Sequence, residues 1–182
     1  MMNSRTKPEL SAEPEGLTHI VHPIPAFYRP DSRILILGSF PSVKSRESGF
    51  FYDHPQNRFW KLMALLFGEE KLPVTVPEKA ALLERYHIAM WDSIHSCDIR
   101  GSSDSSIRNA EPNDFREILE TAAIRRIFTN GKTSHEVYRK YCLPATHMED
   151  LCLPSTSPAN AAWTLERLSG EWAVIKDYCL GD

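Results

Sequence analysis

The segment Gly38-Ser39-Phe40-Pro41-Ser42-Val43-Lys44-Ser45-Arg46-Glu47-Ser48-Gly49-Phe50-Phe51-Tyr52-Asp53-His54-Pro55-Gln56-Asn57-Arg58-Phe59-Trp60 gathers aromatic rings, hydroxyls, cations and one asparagine. Aromatic faces stack on flat rings, while serine hydroxyls and free backbone N–H groups hold phosphates without regard to sequence. Far along the chain, Pro154-Ser155-Thr156-Ser157-Pro158 supplies a second loop of the same character. Together these loops meet the needs of a protein that pulls a nucleobase out of DNA. Asn57 has two readings, as an amide that acts on the reaction and as the cap of the helix that follows it. Glu47 and Asp53 are the nearby carboxylates that can be weighed as a general base, against pairing with Arg46 or Arg58 or sitting in solvent. Asn130-Gly131 reads as a turn, with a base contact as its second reading.

Other chemistries fit poorly. Gly131-Lys132-Thr133 looks like the end of a phosphate loop, but the glycine required five positions before Gly131 is Arg126. Gly38-Ser39-Phe40-Pro41 is not a G-x-S-x-G elbow, because Ser39 directly follows the glycine. The seven histidines show no zinc-ligand spacing, and Cys97, Cys142, Cys152 and Cys179 lie 45, 10 and 27 residues apart, which fits no metal pair. No cofactor and no metal are expected.

The elements that must position the two loops follow from periodicity. Arg33–Leu37, Ile88–Trp91, Arg125–Phe128 and Glu149–Leu153 read as short buried strands. Helical patterns separate them. One starts near His54-Pro55 and buries Phe59, Leu62, Met63 and Leu66; one spans about Pro77 to Tyr86, with proline in its first turn. Another spans Asp114 to Ala122 with Asn113 as N-cap, and the next carries Thr133 and Glu136 at capping-box spacing. The last begins at Ser157-Pro158 and is striped by Leu165, Leu168, Trp172 and Ile175. Alternation of strand and helix predicts an α/β fold, a three-layer α/β/α sandwich with a mostly parallel four-stranded central sheet. Ligands in such sheets bind beyond the carboxyl ends of the strands, where the segments 38–57, 92–109, 130–133 and 154–160 should lie.

At 182 residues and 42% hydrophobic content, the chain suits one domain over residues 20–182. Residues 1–19 hold too few aliphatics to order themselves and read as a tail without the apolar core of a signal peptide. No apolar run spans a bilayer, so a soluble cytoplasmic protein is expected, nucleoid-associated in a prokaryote and monomeric. The net charge of −3 argues against coating nucleic acid by bulk electrostatics. Yet residues 44–61 net +2 and residues 125–140 net +4, and both adjoin expected strand ends. That pattern is compatible with a local phosphate-binding face, alongside the plainer reading of solvated helix surfaces.

The string from Gly38 to Trp60 resembles the first motif of the uracil-DNA glycosylase superfamily, and Gly49-Phe50 with His54-Pro55-Gln56-Asn57-Arg58-Phe59-Trp60 is similar to its mismatch-specific branch. Leu153-Pro154-Ser155-Thr156-Ser157 resembles the second motif, the loop that grips the damaged strand. Two positions depart from uracil-removing relatives: Phe40 stands where an asparagine positions the attacking water, and Leu153 where His or Asn is found. Gly-Ser-Phe-Pro-Ser, with Trp91-Asp92-Ser93-Ile94-His95-Ser96-Cys97-Asp98, is instead similar to the hypoxanthine-DNA glycosylase branch.

The resemblance implies a monofunctional glycosylase acting on DNA with deaminated bases, chiefly hypoxanthine, in base excision repair. A same-fold enzyme preferring uracil or xanthine, and a non-catalytic reader of damaged DNA, remain as alternatives. It implies Asn57 as the catalytic residue, with Gly38, Ser39, Phe40, Pro41, Phe51, Tyr52 and Asn130 facing the base. Tyr52, then Phe51, is favoured for stacking on it. Lys44, Arg58, Pro154, Ser155, Thr156, Ser157, Pro158 and Asn160 would contact the DNA.

Overall fold

Residues Ile34 to Gly38 have no exposed member, so they need cover on both faces, and they form an inner strand of a parallel sheet. A computed structural model describes residues 16–181. The strands are β1 (Thr18–Val21), β2 (Ile34–Gly38), β3 (Ile88–Asp92), β4 (Ile94–Ile99), β5 (Arg108–Pro112), β6 (Arg126–Asn130) and β7 (Asp150–Leu153). The helices are α1 (Val43–Ser48), α2 (Phe59–Phe67), α3 (Val76–Arg85), α4 (Arg116–Thr121), α5 (Lys132–Val137), α6 (Leu143–Thr146), α7 (Leu165–Trp172) and α8 (Ile175–Cys179), with a π-helical turn over Tyr138–Cys142.

The central sheet has the order β3-β2-β6-β7, and all three of its pairings are parallel. Period-two alternation splits each strand between two layers. Ile34, Ile36, Ile88, Met90 and Phe128 pack beneath Phe59, Leu62 and Met63 of α2, Leu82 and Leu83 of α3, and Leu168, Trp172 and Ile175 of the last two helices. Leu35, Leu37, Ala89 and Ile127 pack on the other face against Phe115, Ile118, Tyr138 and Cys142. This is the expected α/β/α sandwich.

A second sheet was not legible in advance. β1, β4 and β5 form an antiparallel sheet of order β1-β4-β5, so much of the segment read as the loop 92–109 is strand. β5 reads Arg-Asn-Ala-Glu-Pro and has no apolar alternation; it is held by pairing to β4, whose Ile94, Cys97 and Ile99 are buried with Phe40. Thr18 and His19 lie in β1 and belong to the fold rather than to a tail, whereas residues 1–15 of that expected tail lie outside the described residues.

A single residue, Ser93, separates β3 of one sheet from β4 of the other. Its N–H donates to the Gly38 carbonyl (2.8 Å), that of Ile94 donates to the Ser39 carbonyl (3.1 Å), and buried Asn113 clamps the junction by donating to the carbonyls of Asp92 and Ile94. Asn113 is therefore not the cap of α4, which starts at Arg116. Other helix starts also shift. α5 begins after Gly131 without a capping box, and Glu136 pairs with Lys132 instead. α7 begins after Thr164 rather than at Ser157-Pro158. α3 does begin with Pro77 in its first turn, behind a Thr75–Glu78 capping box.

Candidate active site

Beyond the carboxyl ends of β2, β3, β6 and β7 lies a cavity of about 340 Å³, within the usual range for small-molecule sites. Gly38, Ser39, Phe40, Pro41, Phe51, Tyr52, Asn57, Asn130, Ser155, Thr156 and Ser157 line it, joined by Asp92 and Asp104. Most of the residues singled out in the first loop, and part of the second, thus meet in one hollow.

The first loop is shaped by local chemistry. Ser42 caps α1, whose end turns at Gly49 in the left-handed region (φ 75°). Phe50 and Phe51 then plug the core, and the Phe51 carbonyl accepts from the indole N–H of Trp60 (3.0 Å). Tyr52 follows with φ 52°, an uncommon value for a bulky residue, and its ring stacks on Phe59 at 4.4 Å. One face of Tyr52 is thereby occupied from within the protein. Its hydroxyl lies over Gly38 beside Asp92, and burial holds its pKa far above the ordinary value.

α2 starts at Phe59 rather than at His54-Pro55, and Asn57 sets that start. Its Oδ1 accepts the Phe59 N–H (3.0 Å) and the hydroxyl of Thr156 (2.9 Å). Thr156 is in turn gripped by Asn130, whose Nδ2 donates to Thr156 Oγ1 (2.9 Å) and whose Oδ1 accepts the Thr156 N–H (3.0 Å). The chain Asn130 to Thr156 to Asn57 ties β6, the second loop and the first loop together. It also fixes the Asn57 amide: with Oδ1 holding two donors, Nδ2 is the group left without a partner among the described residues. Asn57 offers the cavity a donor.

Three expected contacts take other places. Thr156 is fully buried, and its hydroxyl is occupied within the network, so it braces the site and is not open to a phosphate. Arg58 donates to the carbonyls of Thr156, Ser157 and Asn160 (3.3, 2.8 and 3.1 Å), so it clips the second loop to α2. Asn160 closes the same loop by donating to the Ser155 carbonyl (3.0 Å). Ser155, Ser157 and Pro158 keep accessible surface, while the Pro154 carbonyl accepts from the Trp172 indole (2.9 Å). Lys44 is exposed and paired with Glu47 (3.0 Å) on the surface of α1. Asp53 pairs with buried Lys79, so neither carboxylate weighed as a base faces the cavity.

The carboxylates that do face it are Asp92 and Asp104. Asp104 sits at the exposed mouth in a short 3-10 turn over Asp104–Ser106, inside the serine-rich stretch expected to be an ordered loop, and both its oxygens accept the Ser39 hydroxyl (3.0 Å each). Desolvation, reinforced by the charge of Asp92, pushes its pKa up against the opposing pull of Ser39. Asp92 ends β3, is 4% exposed, and is bonded through Oδ2 to His22 Nε2 (2.7 Å). Its Oδ1 occupies the space that a Cβ on Gly38 would fill, so only glycine lets the two strands carry this carboxylate. Asp92 lies at a strand end where ligands were expected, and a search for acids there would have found it. His22 gives no such signal, since only the second sheet brings it near. Among the described residues no group of His, Cys, Asp or Glu has the arrangement of a metal site, and no helix is long and apolar enough to cross a membrane.

Residues 25–178 match the model of the uracil DNA glycosylase superfamily. A Hypoxanthine DNA glycosylase of Methanosarcina acetivorans is 34% identical over 152 residues, covering 83% of this chain and 94% of its own length. A protein of the same name from Methanosarcina barkeri is 33% identical over 144 residues, covering 79% and 89%. The solution NMR structure of a candidate uracil DNA glycosylase from M. acetivorans superposes with a TM-score of 0.72 at 33% identity, covering 85% of this chain and 96% of that one.

Proposed function

The chain belongs to the uracil DNA glycosylase superfamily, and we propose that within it the protein is a monofunctional glycosylase that hydrolyses the N-glycosidic bond of deaminated purine, chiefly hypoxanthine, in DNA. The observation that carries this reading is the donor-only amide of Asn57 in a base-sized cavity, in a chain whose relatives of that name match over nearly their whole length. Deamination of adenine replaces the 6-amino donor by an oxygen acceptor beside the N7 acceptor. An amide fixed as a donor finds an acceptor at the 6-oxygen of the product, where adenine presents a donor, while N7 accepts in both. As the bond to the sugar breaks, negative charge builds on the purine, and a preorganised donor stabilises that charge more than the ground state.

In this reading Asn57 is the catalytic residue. Gly38, Ser39, Phe40, Pro41, Phe51, Tyr52 and Asn130 form the walls around the flipped base, and Ser155, Ser157 and Pro158 approach the flanking strand. Thr156, Arg58 and Asn160 support the site from behind. In this reading the protein acts on DNA as a monomer, in the cytoplasm. The test is a panel of duplexes holding one hypoxanthine, uracil, xanthine or normal adenine, incubated with the protein and then treated with alkali. Alkali-dependent breaks chiefly at hypoxanthine are expected; intact strands, with binding retained, would make the protein a reader of damage instead.

A further inference from the structure

Hydrolysis needs more than a donor. The attacking water must give up a proton, and an amide whose oxygen already holds two donors cannot take it. Phe40 offers no acceptor, and Glu47 and Asp53 pair with lysines away from the cavity. The Tyr52 hydroxyl is held neutral by burial. Among the described residues that line the cavity, Asp92 and Asp104 remain.

The two acids differ in how they are held. Asp104 lies at the mouth, with both oxygens on Ser39. Asp92 lies deep on a rigid strand end. His22 Nδ1 accepts the Ile24 N–H (3.2 Å), which places the ring hydrogen on Nε2, so a neutral imidazole donates to Asp92 Oδ2 and fixes the carboxylate plane. Phe40 and Trp91 wall the imidazole edge-on, with ring centroids 5.7 and 6.2 Å away. The other oxygen, Oδ1, accepts from no described residue and projects over Gly38 along the cavity.

We propose that Asp92 is the general base of the reaction and His22 the positioning residue that aims it, an assignment that rests on the glycosylase reading. Oδ1 takes a proton from the water as the water oxygen bonds to C1′ and the C1′–N9 bond breaks, its electron pair passing to the purine. The purine takes up a proton from solvent and Asp92 returns its own to solvent, so only water is consumed. While ionised, the carboxylate also faces the positive charge that develops on the sugar.

Single-turnover excision of hypoxanthine by wild type, Asp92→Asn, Asp104→Asn, His22→Gln and His22→Phe tests this. Each protein's affinity is also measured for duplexes carrying either a neutral tetrahydrofuran abasic analogue or a cationic pyrrolidine analogue. Asp92→Asn should slow excision by about 10²-fold or more, the scale of general-base catalysis. It should weaken the cationic analogue at least tenfold more than the neutral one. His22→Gln, which keeps a donor near the Nε2 position, should retain most of the rate that His22→Phe loses. A folded Asp92→Asn protein that excises within about threefold of wild type, or that keeps the ratio of the two affinities unchanged, overturns the assignment; so does a larger loss in Asp104→Asn than in Asp92→Asn. If Asp92→Asn does not fold, the His22 pair decides: equal rates for Gln and Phe overturn it. Wild type that leaves hypoxanthine in place refutes the glycosylase reading itself, and this assignment with it.

Discussion

The cavity has two unlike halves. Asn57, Thr156 and Asn130 form a half in which hydroxyl and amide groups bond to one another and Asn57 Nδ2 is left with no partner among the described residues. Asp92, Asp104, Ser39 and His22 form a half in which acceptors remain after the internal bonds are made. One half can give a hydrogen bond to a departing purine, and the other can take a proton from water. A hydrolase needs both, and here the first comes from the two loops around the parallel sheet, and the second from the place where that sheet meets the antiparallel one, as β3 runs through Ser93 into β4.

Breaking either half should be measurable. The largest effect outside the two principal groups is expected from Gly38→Ala, because the new methyl would overlap the Asp92 carboxylate and crowd the Tyr52 hydroxyl. Excision should fall by about 10²-fold, comparable to loss of one preorganised group, while binding to undamaged duplex changes little. Wild-type excision by the alanine variant would show that the carboxylate need not stand there. On the other half, Thr156→Val removes the hydroxyl that joins Asn130 to Asn57 and leaves a buried amide short of partners. Urea denaturation should show a loss of about 1–3 kcal/mol, with slower excision of hypoxanthine.

Arg58→Met sharpens the comparison differently. Losing three carbonyl contacts should loosen the second loop and lower stability, yet leave the salt dependence of duplex binding unchanged. A log–log salt slope smaller by about 0.9 would instead make Arg58 a phosphate contact. The smallest effect belongs to Asp104→Asn. Its carboxyl titrates higher in the fold than in the open chain, so the folded state binds more protons and stability falls as pH rises from the unfolded value, about 3.9, through the raised one. The asparagine variant should melt higher than wild type at neutral pH and show no gain near about pH 3, where both forms of the acid are protonated. Equal shifts at both pH values would remove desolvation as the cause.

The donor half was largely legible in the sequence because Asn57 and Thr156 sit in two contiguous motifs beside apolar strands whose run lengths mark them as buried, and Asn130 lies at the end of a third such strand. Even so, Thr156 and the Arg58 that supports this half read as outward-facing in the sequence. Thr156 and Arg58 have the chemistry of phosphate ligands, and only the distances show that their donors already have carbonyl and amide partners. The acceptor half was hidden for a topological reason. β5 carries Arg, Asn and Glu where alternation would need apolar side chains, and β1 is only the four residues Thr-His-Ile-Val, without period-two alternation, so neither announced a sheet. Without that sheet His22 and Asp92, 70 residues apart, have no reason to meet.

The most direct test of the account is the single-turnover rate of hypoxanthine release by Asn57→Asp. Aspartate keeps an oxygen for the Phe59 N–H and the Thr156 hydroxyl but puts an acceptor where the donor stood, so the fold should survive and only the hydrogen bond to the leaving purine is lost. A rate at least about 10²-fold below wild type is expected, in a protein that still melts cooperatively and still binds an abasic duplex. A folded Asn57→Asp protein that releases hypoxanthine at the wild-type rate would contradict it.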